Sequence, residues 1–241
     1  PMLRLNKIKT QREITPNYYV ADFETTTMNS KYFQENKKGA LIAWLVQPLG
    51  DYETNFHGTN FVGFENWLLS LECPSVIFFH NLSKFDAYVI IAYALERWRN
   101  NLNQRKSPIK YSHQKVNGGI LSMTIKTPKT FIILQDSIRL LTLPVASLGA
   151  ILGYPKLTTD YDIDPVNSWE ELPEEMRVYL KRDVEIVNKS LLHFKETIDN
   201  LSARYQANWN PFKLTASSLS RDIINYFDEN KLFKITIESQ E

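Results

Sequence analysis

YYVADFET, residues 18–25, is the stretch of sequence from which the fold can be read. Its first four residues form an apolar run that predicts a buried β-strand, and Asp22 and Glu24 follow at the end of that run. Residues i and i+2 of a strand point to the same face of a sheet. The two carboxylates can therefore share one cation at a strand end, where the crevices of open α/β sheets lie.

Polar residues also follow the next strongly apolar stretch of the chain. Residues 75–80 predict a second buried strand, and the sequence HNLSKFD occupies residues 80–86. Asp86 lies near the start of a helix that is predicted over residues 84–99. Because the helix dipole favours an acid in the first turn, Asp86 alone does not establish a site.

A predicted helix carries a third polar pair. Pro173, followed by two glutamates, marks the start of a helical pattern that runs towards His193. Tyr179 and Asp183 are four residues apart and therefore lie on one face of this helix. Such a pair is common on helix surfaces, so its meaning depends on the other two motifs.

The three motifs together supply four acids and one tyrosine. Their order and their placement on strand, strand and helix agree, which makes the set far more specific than any single pair. Two divalent ions about 3.5–4 Å apart can activate a water and stabilise the leaving oxygen of a phosphodiester. Oxygen ligands of this kind suit Mg²⁺ or Mn²⁺. The sequence therefore indicates a two-metal phosphodiester hydrolase.

The motifs resemble those of the 3′–5′ exonuclease domain of family B DNA polymerases, most closely the protein-primed branch of bacteriophages and linear plasmids. That branch has the motif Asp-x-Glu, a long-spaced second motif that ends in Phe/Tyr-Asp, and the third motif Tyr-x3-Asp. The matching residues are Asp22, Glu24 and Thr25 in the first motif, Asn81, Phe85 and Asp86 in the second, and Tyr179 and Asp183 in the third.

The resemblance implies a role for each matching residue. Asp22 would bridge two Mg²⁺ or Mn²⁺ ions. Glu24 and Asp183 would complete one metal site, Asp86 would complete the other, and Tyr179 would orient the attacking water. The residues expected to contact the 3′ end of single-stranded DNA are Thr25, Asn81 and Phe85, together with Ser137 and Ile138 of an Asp-Ser-Ile element.

The roles of two further residues, His80 and Lys156, stay open. His80 is equally compatible with a contact to DNA and with a packed histidine at a strand end. Many members of the family also use a lysine between the last two motifs. Lys156, in the sequence GYPK at residues 153–156, is the nearest candidate for it.

The resemblance implies an α/β ribonuclease H-like (DnaQ-like) fold, with a mixed central sheet flanked by helices and an added β-hairpin. The sequence pattern agrees, since it predicts further strands over 41–47 and 52–57, a helix over 61–71 and a hairpin over 120–135. The expected domains are an N-terminal extension (1–14), the exonuclease domain (15–205) and a C-terminal segment leading to a polymerase domain (206–241).

Composition is typical of a soluble globular protein. With 241 residues, of which 43% are hydrophobic, the chain can bury one sizeable core. The single cysteine excludes an internal disulfide and fits a reducing compartment. No apolar stretch approaches the ~20 residues of a membrane span, and no signal-peptide pattern is present. We expect no membrane partner and an intracellular location, in the cytoplasm or in an organelle such as the mitochondrion.

The net charge of +1 conceals an uneven distribution. From Arg97 to Gln135 there are eight Lys or Arg residues and no acid, whereas Asp160 to Glu185 holds nine acids and three Lys or Arg. Solvated loops and helix surfaces would explain both runs. A basic rim that holds DNA phosphates would also explain the first.

The motifs of family B polymerisation, SLYP, KxxxNS and DTD, do not occur in these 241 residues. We therefore expect the proofreading exonuclease domain of a larger protein-primed polymerase. Its partners would be a single-stranded DNA 3′ end, the polymerase domain of the same chain and a terminal protein. Two other hypotheses stay open: a stand-alone DEDD-type exonuclease acting on short RNA or DNA, and a non-catalytic module that binds single strands or a terminal protein.

Overall fold

A seven-stranded mixed sheet, with strand order β3-β2-β1-β4-β7-β6-β5, runs through the computed structural model, which describes residues 15–100, 108–116, 119–158 and 162–229. The predicted N-terminal extension, 1–14, lies outside the described residues. The strands are β1 (Asn17–Thr25), β2 (Leu41–Pro48), β3 (Phe56–Gly58), β4 (Ser75–Phe79), β5 (Lys110–Val116), β6 (Gly119–Lys126) and β7 (Phe131–Asp136).

Helices cover both faces of this sheet. They are α1 (Lys31–Asn36), α2 (Phe61–Ser70), α3 (Asp86–Asn100), α4 (Ile138–Leu141), α5 (Val145–Ile151), α6 (Glu174–Tyr205) and α7 (Ala216–Glu229), with a short 3₁₀ turn at Trp169–Glu171. The mixed α/β sheet predicted from the sequence is confirmed, as is the hairpin formed by β6 and β7. None of the helices in the described part of the chain combines the length and the apolar character that a membrane crossing requires.

Three neighbouring strands, β1, β4 and β7, run parallel, so their carboxyl ends meet at one edge of the sheet. Both faces of these strands are covered, which explains why their sequences are continuous apolar runs. One core cluster, which includes Phe23, Phe64 and Phe79, packs under α2 and α3. The other, which includes Val20 and Leu180, packs under α6. The central strands are therefore held from both sides.

Two sequence predictions need correction. The strand predicted over 52–57 is reduced to β3, because the Asp51 carboxylate accepts hydrogen bonds from the amides of Glu53 and Thr54 and closes a turn there. Solvated loops are one explanation of the basic run, yet its residues 110–116 form the edge strand β5, paired with β6. Exposed polar residues of β5 lack the apolar alternation that would have revealed the strand.

The C-terminal segment packs onto the domain as far as the structure describes it. Phe212 is buried in the cluster under α6, and the carbonyl of Lys213 accepts a hydrogen bond of 2.7 Å from the Gln135 side chain. Trp209 and Leu219 pack together with Ile198 near the end of α6. The boundary predicted at residue 205 stays a prediction.

We expect Phe212→Ala to lower the free energy of unfolding by about 3 kcal/mol, because it leaves a cavity in a packed cluster. Phe212 is 6% exposed, whereas Phe131, the matched control, is 49% exposed. Phe131→Ala should change the free energy of unfolding by less than about 1 kcal/mol. Urea titration followed by circular dichroism measures both. Equal effects of the two substitutions would contradict the described packing of the C-terminal segment.

Candidate active site

Three carboxylates from two distant parts of the chain meet at the carboxyl end of β1. Each of Asp22, Glu24 and Asp183 offers one oxygen, and these atoms lie within 4.8 Å of one another. Asp22 and Glu24 share a face because they are two residues apart on β1. Asp183 is added by α6, which packs against the sheet through residues such as Leu180 and Val184. The structure thus brings together three of the four predicted acids.

Asp86, the fourth acid, is buried at the first position of α3. Its charge is close enough to contribute to raising the pKa of Asp22. Among the described residues, Oδ1 of Asp86 is buried without a hydrogen-bond partner, and so are Oδ1 of Asp183 and Oδ1 of Asn81. Because buried oxygen atoms normally have partners, the free carboxylate oxygens of Asp86 and Asp183 are suited to bind a cation.

Burial and the charges of neighbouring acids raise the pKa values of the clustered carboxylates. Burial, followed by the charges of Glu24, Asp86 and Asp183, raises the pKa of Asp22 well above its ordinary value. Burial and the charge of Asp183 raise the pKa of Glu24 to about 7. Burial is also the main reason why the pKa of Asp86 is raised to about 8. A divalent cation would offset this repulsion, and oxygen-only ligands are those that Mg²⁺ and Mn²⁺ prefer, so the donor set fits such ions.

Lys156 lies directly at this cluster. Its Nζ donates to the Asp183 carboxylate and is 4.8 Å from the centre of the Tyr179 ring. Burial alone would lower the pKa of Lys156, but its hydrogen bonds to Asp183 and Tyr179 raise it overall, so the side chain stays protonated. Burial also raises the pKa of Tyr179, so its hydroxyl keeps its proton. The position of Lys156 fits the predicted auxiliary lysine, whose role stays a prediction.

The loop that follows β4 is organised by Asp136, at the end of β7. Its Oδ1 accepts hydrogen bonds from the amides of Asn81 (2.9 Å) and Ile138 (3.2 Å), and its Oδ2 accepts one from the amide of Ser83 (3.0 Å). These bonds hold Asn81 with φ at 76°, in the left-handed region. Asp136 was not among the predicted site residues, although its place at the end of a buried strand was a usable signal.

The residues predicted to contact DNA differ in accessibility. Phe85 is 45% exposed beside Asp86. Thr25, Asn81 and Ile138 are half-buried. Each of these positions is compatible with a contact to a strand end.

Ser137 is fully buried, and the predicted contact of its side chain with DNA stays a prediction. Its Oγ lies 2.9 Å from Nδ1 of His80 and 3.3 Å from the carbonyl of Phe79. Nε2 of His80 is also engaged, 2.8 Å from the carbonyl of Leu143. Both ring nitrogens of His80 thus have partners within the protein, and its two assignments stay open.

Comparison with known proteins adds one finding. No family model and no curated protein sequence matches the chain. Among solved structures, Phi29 DNA polymerase with primer-template DNA matches with a TM-score of 0.65 and 21% identity, over 90% of this chain and 36% of that one. The chain shares its fold with a part of Phi29 DNA polymerase. The structure of that polymerase with single-stranded DNA gives the same TM-score and identity, over 94% of this chain and 37% of that one.

The likeness to Phi29 DNA polymerase confirms the predicted ribonuclease H-like fold class. The ternary complex with incoming nucleotides also matches, with 22% identity and a TM-score of 0.65 over 95% of this chain. The present chain spans about a third of the length of these polymerases. The likeness therefore shows the fold and not the activity.

The raised pKa of Glu24 has a consequence for stability. Its carboxyl has an ordinary pKa of 4.5 and a pKa of about 7 in the folded protein. As the pH rises, Glu24 therefore loses its proton at a lower pH in the unfolded chain than in the folded protein. Without divalent ions, stability should therefore fall as pH rises from about 4.5 to about 7. Glu24→Gln removes this effect and should raise the free energy of unfolding at pH 8 by about 1–3 kcal/mol, since one pKa unit corresponds to about 1.4 kcal/mol.

The measurement for this variant is urea unfolding in EDTA at a series of pH values. The gain from Glu24→Gln should disappear as the pH approaches 4. Glu53→Gln, on an exposed turn, is the matched control and should change stability little at any pH. A destabilised Glu24→Gln at pH 8 would contradict the described electrostatics.

Proposed function

We propose that this chain is a 3′–5′ exonuclease that removes nucleotides from single-stranded DNA 3′ ends and proofreads for a protein-primed DNA polymerase. The observation that carries the proposal is the convergence of Asp22, Glu24 and Asp183 within 4.8 Å on this fold. The buried, unpartnered oxygen of Asp86 extends the cluster. A purely structural role would not gather four acids at one sheet edge, because their mutual repulsion is unfavourable.

Two Mg²⁺ or Mn²⁺ ions are the proposed cofactors. Glu24 and Asp183 would hold one ion and Asp86 the other, with Asp22 shared between them. When bound, such ions activate a water and stabilise the leaving oxygen of an in-line phosphodiester cleavage. The protein contributes the fixed positions of the four carboxylates, which β1, α3 and α6 set independently of the ligand.

The remaining side chains would position the substrate. The protonated hydroxyl of Tyr179 can donate a hydrogen bond, which suits it to orient the attacking water and not to remove its proton. Lys156, next to Asp183, supplies a positive charge at the place where negative charge develops on the phosphate. Phe85 is exposed for stacking on a base or sugar, and the free Oδ1 of Asn81 can accept a hydrogen bond from the strand end.

The basic run contributes a second surface for DNA. Arg97 is paired with Glu65. Lys129 is paired with Glu72 at 2.8 Å. Lys110 and Lys126, by contrast, are exposed cross-strand neighbours on β5 and β6 and form no salt bridge among the described residues. Because like charges directly opposite each other destabilise a sheet, a phosphate bound between them would relieve the repulsion.

Degradation of a 5′-labelled single-stranded DNA oligonucleotide tests the proposed activity. We expect a 3′–5′ ladder that requires Mg²⁺ or Mn²⁺ and is reduced at least ~10²-fold in Asp22→Ala/Glu24→Ala, because the metal ligands are lost. Glu53→Ala is the control and should cleave at the wild-type rate. An RNA oligonucleotide of the same sequence distinguishes the proofreading exonuclease from a stand-alone exonuclease. Cleavage of RNA at the same rate as DNA would favour the stand-alone exonuclease. Binding without cleavage by the wild type would instead support the binding module.

Binding of single-stranded DNA in EDTA tests the basic surface. We expect Lys110→Ala/Lys126→Ala to weaken binding and to reduce the slope of log K against log salt by about 1.4, since each lost phosphate contact contributes about 0.7. Arg204→Ala/Arg221→Ala, which removes two exposed cations of α6 and α7, should leave the slope unchanged. If the arginine pair reduced the slope as much as the lysine pair, the effect would come from the overall charge of the protein and not from a DNA-binding surface at Lys110 and Lys126.

A further inference from the structure

Lys156 reaches the acid cluster from a segment that has no regular structure. Residues 154–158, which follow α5, form neither helix nor strand. A lysine side chain in such a segment loses considerable rotamer entropy when it is fixed. Its contacts with Asp183 and Tyr179 therefore require that the backbone of the segment be held in place.

Tyr154 anchors this segment to α6. Its ring lies 3.7 Å from Cζ of Arg182 and 3.7 Å from Nζ of Lys189, both measured to the ring centre. Its hydroxyl donates a hydrogen bond of 2.5 Å to the carboxylate of Glu185. These three partners are spaced i, i+3 and i+7 and therefore form one stripe along α6.

The backbone of the segment is fixed from two directions. The Tyr154 amide donates to the carbonyl of Gly149 in α5 at 2.8 Å, and the Arg182 guanidinium donates to the carbonyl of Pro155 at 2.9 Å. The approach to α5 is close enough to require glycine. A Cβ at position 149 would lie 2.7 Å from the Tyr154 carbonyl oxygen and 3.0 Å from the Lys156 amide nitrogen.

We propose that Tyr154 is a positioning residue that holds Lys156 against Asp183 and Tyr179, with Arg182 and Glu185 as its supports. The role of Lys156 in catalysis rests on the proposed exonuclease function, but the positioning itself does not. Asp183 and the anchoring stripe belong to the same helix, so Tyr154 fixes the lysine relative to the acid that it contacts. A misplacement of about 1 Å at a catalytic group can reduce a rate by about 10²-fold.

The chemical reactivity of Lys156 tests the positioning without any need for activity. The full chain in EDTA is treated with a limiting amount of acetic anhydride, and acetylation of each lysine is followed by peptide mass spectrometry. We expect Lys156 to react at least about 5-fold faster, relative to the exposed Lys126, in Tyr154→Ala than in the wild type. Asp183→Asn should also raise its reactivity. Unchanged reactivity of Lys156 in Tyr154→Ala would overturn the proposal.

Kinetics on single-stranded DNA separate positioning from a general loss of structure. We expect Tyr154→Ala to lower kcat about 10-fold or more with little change in KM, and Tyr154→Phe to restore most of it, because the ring keeps its contacts with the two cations. In a Lys156→Ala background, Tyr154→Ala should cause no further loss, since its effect passes through the lysine. Additive losses would overturn the proposal.

Two controls keep the outcome interpretable. Arg182→Met removes the hydrogen bond to Pro155 while keeping the aliphatic packing, and it should raise Lys156 reactivity even if Tyr154→Ala unfolds. Tyr205→Ala alters an aromatic contact at the far end of α6 and should leave Lys156 reactivity and kcat unchanged. Absence of any Asp22-dependent cleavage in the wild type would disprove the exonuclease function, while the acetylation result would still decide whether Tyr154 positions Lys156.

Discussion

Repulsion among the carboxylates at the end of β1 is the constraint on which the rest of the structure depends. Three acidic side chains place oxygen atoms within 4.8 Å of one another at a partly buried position, where water screens their charges poorly. Left to itself, such a cluster would separate or take up protons. The fold holds the cluster together because the backbone that carries each acid is firmly packed. Asp22 and Glu24 lie on the same strand, β1, and Asp183 lies on α6.

The firmness comes from the position of β1 in the sheet. It is paired on both sides, antiparallel to β2 and parallel to β4, and both faces of the sheet are covered by apolar clusters. Asp22 lies opposite Leu45, and Glu24 lies opposite Ala43 on β2. The neighbours of the two carboxylates along the sheet are therefore apolar, which explains why burial is the largest cause of their raised pKa values. The same packing that fixes the acids also makes them receptive to a cation.

The parts of the site that sequence could predict are those set by local periodicity. Asp22 and Glu24 share a face through the two-residue period of a strand, and Tyr179 and Asp183 through the four-residue spacing of a helix. The burial of Ser137 could not be predicted, because it depends on where His80 and the Phe79 carbonyl lie in three dimensions. The strand β5 was missed because an exposed edge strand does not need an apolar face.

The contact between Lys156 and Asp183 belongs to a different class, since it spans 27 positions and an irregular segment. From the sequence alone, Lys156 was only the nearest candidate for the lysine that the family uses between its last two motifs. What fixes it is the α6 stripe that binds Tyr154, next to the face that carries Asp183 and Tyr179. One helix thus determines the geometry between the lysine and its acid, while the packing of α6 on β1 determines the geometry between that acid and Asp22. A small shift of α6 on the sheet that carries α5 with it would therefore alter the spacing of the carboxylates but leave the pair of Lys156 and Asp183 intact.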